Sequence, residues 1–323
     1  MRTLIVTLTA AVALAGVVST APAHAAAPPR GAAYRPGAVI HAAPTAHPTL
    51  APTSEALSAA APVARPSLAH PRSTRLRPAP SWVPRIKQTT RANNWSGYAD
   101  QAVSDSYFNN VSSQWTEPNF TCDAAHGRDG SETSQWIGID GNAADDPSLE
   151  QVGTIEGCRP NGRPYVNLFW ETIPGPPHQF VGGAPGDTIQ ASVTYLGDNE
   201  FQLIVTDETR NQSLNVTKPC ISSRGCPLAS VEAIAEWPGS QLKSGITLTR
   251  YGAFPFYNFN ATNWYPATGL TYQAAFVSST LWSSDSIETV GPTPRGRSER
   301  VVQAPGALSD GGRAFEQYWR HAY

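Results

Sequence analysis

The chain predicts an all-β fold, a sandwich of two antiparallel sheets formed by residues 92–290 of 323. Three observations carry this. Apolar and polar residues alternate at period two in short runs, and turn residues separate the runs. No run keeps a 3.6-residue period over the roughly 11 residues of an ordinary helix.

The first runs are Ser112 to Thr116, Gln135 to Ile139, Tyr165 to Phe169 and Thr188 to Tyr195. Then follow Phe201 to Thr206, Val231 to Trp237, Ile246 to Tyr251 and Tyr272 to Val277. Gly141-Asn142, Asn161-Gly162, Pro185-Gly186-Asp187 and Gly197-Asp198-Asn199 supply turns between antiparallel strands. Strands with one apolar face must bury it against a second sheet, hence the sandwich. Residues 291–323 begin polar and then offer Phe315, Tyr318 and Trp319 on a short helix or edge element. They are expected to be a C-terminal extension.

Upstream of this body the sequence has a different texture. Residues 1–25 run from Arg2 through an apolar stretch, Leu4 to Val18, to Ala23-His24-Ala25. This is the layout of a secretory signal peptide, and the apolar stretch is shorter than the roughly 20 residues of a membrane span. A secreted, extracellular protein with no membrane partner is expected. The four cysteines, Cys122, Cys158, Cys220 and Cys226, agree. An even count in an oxidising compartment favours two bridges, with all three pairings open. Neither close CxxC spacing nor interleaved histidines suggest a metal site. No metal or other cofactor is expected.

Residues 26–91 are rich in Ala and Pro and too poor in large apolar residues to offset the entropy of ordering. They carry nine basic residues against the single acid Glu55, a net of +8, whereas residues 92–323 carry 13 basic against 24 acidic, a net of −11. The arm reads either as a tether or as a propeptide that lies on the acidic body and loosens when acid neutralises its carboxylates. An acidic body is a poor partner for nucleic acid. A monomer is expected.

Candidates for chemistry are few. His126, His178 and His321 lie in loop-like or terminal settings, no serine sits in a nucleophile elbow, and HExxH is absent. Carboxylates and amides remain. Glu232 and Glu236 fall on one face of a strand about 13 Å apart, too far for a glycosidase pair. Glu232 lies in the apolar run Val231 to Ile234, where desolvation would raise its pKa and suit it to acid–base work. Gln151, beside Val152 and Gly153, could donate to an oxyanion at any pH. Either residue read alone is more readily a solvent-facing strand residue. The tryptophans at 95, 115, 136, 170, 237 and 264 suit either a cleft or the core.

Taken together, several segments resemble the glutamic peptidases, or eqolisins, and their bacterial relatives. They are Asn94-Trp95-Ser96-Gly97-Tyr98, Val111 to Pro118, Ser134-Gln135-Trp136-Ile137-Gly138-Ile139-Asp140-Gly141, Leu149 to Gly153, Asn167 to Glu171 and Val231 to Glu236. The resemblance covers residues 93 to 280. It implies two long, curved antiparallel sheets, concanavalin-like or jelly-roll-like, with a catalytic glutamate and glutamine on the concave face. Those positions match Glu232 and Gln151. Trp95, Trp136, Trp170 and Glu171, within the matched motifs, become the candidates for substrate contact. The resemblance further implies an acid-acting endopeptidase made as a signal-bearing zymogen, with polypeptide substrates. Two positions depart from the pattern: Ala233 replaces an aromatic after the glutamate, and Glu150 sets a charge beside the glutamine. The alternatives are a secreted carbohydrate-binding or glycan-hydrolysing sandwich, and a noncatalytic surface protein.

Overall fold

The computed structural model describes residues 77–78, 86–103, 105–122, 130–142, 148–238, 246–291 and 300–320. The expected signal peptide and nearly all of the arm, with His126 and His321, lie outside the described residues. The regular secondary structure of the described residues is almost wholly strand, arranged in two layers.

The first layer runs in spatial order β8 (His178–Val181), β7 (Pro164–Ile173), β6 (Leu149–Cys158), β5 (Ser131–Ile139), β12 (Ser230–Glu236), β3 (Trp95–Ala102), β16 (Trp282–Gly291) and β2 (Ile86–Ala92). All of these pairs are antiparallel except β2 with β16. A two-residue strand, β13 (Thr247–Leu248), lies parallel to one end of β5.

The second layer runs β11 (Gln212–Pro219), β10 (Glu200–Asp207), β9 (Thr188–Gly197), β4 (Tyr107–Thr116), β14 (Ala253–Tyr265), β15 (Leu270–Ala274) and β1 (Arg77–Pro78). Two late strands join the layers: β17 (Arg300–Pro305) pairs with β16, and β18 (Phe315–Trp319) pairs with both β17 and β14.

Alternation explains the packing. In β5, Ile137 and Ile139 face the second layer, as do Val152 in β6, Leu168 in β7, and Val231, Ala233 and Ala235 in β12. They meet Trp115, Val193, Leu203, Phe254, Phe256, Phe259 and Phe315. Each fully buried large side chain contributes about 1.5–3 kcal/mol. The opposite face of the first layer carries a smaller cluster: Ala99, Trp136, Leu149, Ile155, Phe169, Ile234 and Ile287, with Trp95 and Ile173 against it. The bridges pair Cys122 with Cys158 and Cys220 with Cys226.

The structure differs from the sequence reading at both ends of the body. Residues 86–91, assigned to the arm, form most of β2, because their alternating polar residues suit an edge strand. The stretch read as a C-terminal extension supplies β17 and β18, and Phe315 is buried in the core.

Candidate active site

Cross-strand register builds the site. Asp285 on β16 pairs with Ala99 on β3, Ala99 with Glu232 on β12, and Glu232 with Gly138 on β5. Gly138 then pairs with Gln151 on β6, and Gln151 with Glu171 on β7. Directly opposed residues share a face, so these six form one row across the first layer, on its outer face. Glu232 and Gln151 are two strands apart, about 9.5 Å between Cα atoms at ordinary strand spacing. The residue between them has no side chain. A Cβ at Gly138 would come within 2.8 Å of Leu149 Cδ1 and 3.3 Å of Trp136 Cζ3, which border that gap.

The row is shielded from water. Glu232 is 0%, Asp285 2% and Gln151 4% exposed. Gln151 Nε2 donates to Glu171 Oε2 at 2.7 Å, while Gln151 Oε1 is buried with no hydrogen-bond partner among the described residues. Burial pushes the Glu171 carboxyl up to about 7, helped by the negative Glu236 and opposed by the hydrogen bond from Gln151. Glu236 is fixed by Asn94 Nδ2 at 2.9 Å and Trp136 Nε1 at 2.8 Å, and burial raises its pKa too. Asp285 accepts from Gln88 Nε2 at 3.4 Å, and its Oδ1 is buried with no partner among the described residues.

Of the residues singled out from sequence, Glu232, Gln151 and Glu171 come together in the row. Trp95 and Trp136 lie on the same face, edge to face with ring centroids 4.9 Å apart. Trp170 does not join them. It points into the space between the layers, stacks on His178 at 4.0 Å and lies under Lys218 Nζ at 4.4 Å. Its neighbour Glu171 occupies the outer face because adjacent strand residues point oppositely. The same rule sends both departures from the family pattern inward. Ala233 lies in the core, and Glu150, beside Gln151 in sequence, sits with an oxygen 3.1 Å from Cys226 Sγ.

Other groupings were not read from sequence. Asp140, at φ 71°, accepts from the backbone N–H of Ala229 at 2.6 Å and of Leu228 at 3.0 Å. It thereby ties the loop entering β12 to the end of β5. The turn signal Gly141-Asn142 adjoins it in sequence but says nothing of what its carboxylate would hold. Between the layers, Glu117 accepts from Trp115 Nε1 at 2.7 Å and Thr154 Oγ1 at 2.5 Å, and it shares a hydrogen bond with Glu156. Glu150, Cys220 and Cys226 cluster closely, but both sulfurs are in the disulfide and are not available as thiolate ligands.

Comparison with known proteins identifies the scaffold. The family model described as Peptidase A4 matches residues 93–285, and the chain belongs to this family. It is therefore a glutamic endopeptidase, which sets aside the carbohydrate and noncatalytic readings. Two crystal structures of scytalido-glutamic peptidase with transition-state analogues align with it. One shows 20% identity and a TM-score of 0.51, the other 17% and 0.50, and each alignment covers 71% of this chain and 98% of the other. Aspergilloglutamic peptidase from Aspergillus niger aligns at 19% identity over 59% of this chain and 99% of its own, with a TM-score of 0.41. At such identities the two scytalido-glutamic peptidase alignments show the fold alone, a β-sandwich. No curated protein sequence matches the chain. No helix among the described residues is long and apolar enough to cross a membrane.

Proposed function

We propose that this endopeptidase hydrolyses polypeptides in acid, with Glu232 as the base that activates water and Gln151 as the donor to the oxyanion. The observation that carries this is their place in one cross-strand row with only Gly138 between them. A water held between the two side chains would be within reach of both.

Ionised Glu232 takes a proton from that water as its oxygen attacks the scissile carbonyl carbon. The carbonyl π pair moves onto oxygen, where the Gln151 amide stabilises the charge. As the tetrahedral intermediate collapses, Glu232 returns the proton to nitrogen and the C–N bond breaks. The new acid and the amine leave, and Glu232 is again ionised.

In Glu232→Gln or Gln151→Ala, hydrolysis of a denatured protein at about pH 2 to 5 should vanish, with the circular dichroism spectrum retained. Full turnover in either variant rejects the dyad.

Export and a zymogen stage belong to the same proposal, supported by the leader-like segment, the two bridges and the opposed charges of arm and body. The basic arm is the proposed inhibitor, drawn to the acidic body by its opposite charge. Mass spectrometry of the secreted protein before and after acidification tests this. Activity should appear with loss of residues ahead of Ile86, since Ile86 begins a strand of the sheet. Equal activity of the intact chain refutes an inhibitory arm.

A further inference from the structure

We propose that Glu171 is a positioning residue that decides which end of the Gln151 amide faces Glu232: protonated, it donates to Oε1; ionised, it accepts from Nε2. This deepens the dyad reading and rests on it.

The two side chains lie directly opposite on adjacent strands, 2.7 Å apart, and among the described residues no second partner holds Gln151 Oε1. The amide is thus gripped from one side, the side away from Glu232. An ionised carboxylate has only acceptors, so it can hold Gln151 only by an N–H. That turns the carbonyl oxygen toward the gap over Gly138, where it would oppose a developing oxyanion. A protonated carboxyl can donate to Oε1 instead. The amide then rotates about its terminal bond and presents NH2 toward Glu232, the orientation that oxyanion stabilisation needs.

The surroundings favour the productive form in acid. Beside Glu171, β6 presents Gln151, and β12 contributes two acids on this face, Glu232 and Glu236. Gln179 on β8, opposite Phe169, is uncharged. Burial and the negative Glu236 keep the Glu171 proton up to about pH 7. The amide should therefore stand in its donor orientation through the acid range and lose it as pH rises past that point.

The test is the pH dependence of kcat and KM from pH 3 to 8 on one peptide substrate, for the intact enzyme after acid activation and for Glu171→Gln and Glu171→Ala. The wild type should lose kcat as pH rises through about 7. Glutamine offers an N–H at every pH, so E171Q should move that alkaline limb upward by about one pH unit or more. E171A leaves the amide ungripped and should lower kcat by about tenfold or more, with KM changed less than about threefold. An E171Q limb that coincides with that of the wild type, or an E171A kcat equal to it, overturns the proposal. Should E171A fail to fold by circular dichroism, the E171Q limb alone decides. Failure of the dyad reading itself would show separately, as undiminished activity in E232Q or Q151A.

Discussion

At the scale of single residues, the clearest division is between positions that chemistry marks and positions that only geometry marks. Glu232 in an apolar run and Gln151 beside a glycine were visible in the sequence as polar groups out of place, and the resemblance joined them. Trp170 was misplaced because a motif match says nothing about which face of a strand a side chain takes. Asp285, Asp140 and the Glu117–Glu156 pair were not legible, since their significance comes from partners distant in sequence. Asp140 shows what such a partner does. Its carboxylate accepts two backbone N–H groups from the segment that leads into Glu232. Hydrogen bonds to a charged group contribute about 1.5–3 kcal/mol. Asp140→Ala should lower the unfolding free energy by about 3 kcal/mol, measured by urea titration at pH 4. A loss below about 1 kcal/mol would mean the loop holds without it.

At the scale of elements, strands such as β5, β9 and β10 were legible from alternation, whereas β14, with a local irregularity, was not, and the run Ile246 to Tyr251 forms only the two-residue β13. β14 is the longest strand, yet its parity shifts between Tyr257 and Asn260 at a bulge, with Asn258 at φ 55°. Pro255 also argues against a strand in sequence. The serine-rich β16 was not among the runs read from sequence; in the fold Ser284 donates to Asp100 and Ser286 shares a hydrogen bond with Thr89. Pairing of the cysteines was equally open until the strands were placed. The two bridges should differ in worth, because loop entropy grows with the length closed. Cys122–Cys158 spans 36 residues and Cys220–Cys226 spans 6. The chain-entropy relation gives roughly 4 kcal/mol for the longer and roughly 2 kcal/mol for the shorter. Paired serine substitutions compared by urea unfolding check this; equal losses would show that native-state contacts outweigh loop closure.

At the scale of the whole molecule, the space between the layers is tuned to acid. Burial raises Glu117 to about 7, against hydrogen bonds from Thr154, Trp115 and Glu156, and burial together with the neighbouring Glu117 raises Glu156 well above its ordinary value. The sign follows from linkage. The folded state holds these protons to higher pH than the unfolded chain does, so stability is full below about pH 4.5 and is lost as pH rises through about 7. The urea midpoint should therefore fall between pH 4.5 and 8. Glu156→Gln, which removes one of the paired acids, should flatten that fall. A midpoint independent of pH across this window would refute the assignment.

The pairing of β17 and β18 across both layers has a consequence for how the molecule comes to exist. β18 is the last strand in chain order, yet it lies against β14 and brings Phe315 into the central core. Partial chains ending before β18 would have open sheet edges and an unfilled interior. Completion of the core must wait for β18, and the growing chain stays pliable until residues 315–319 arrive.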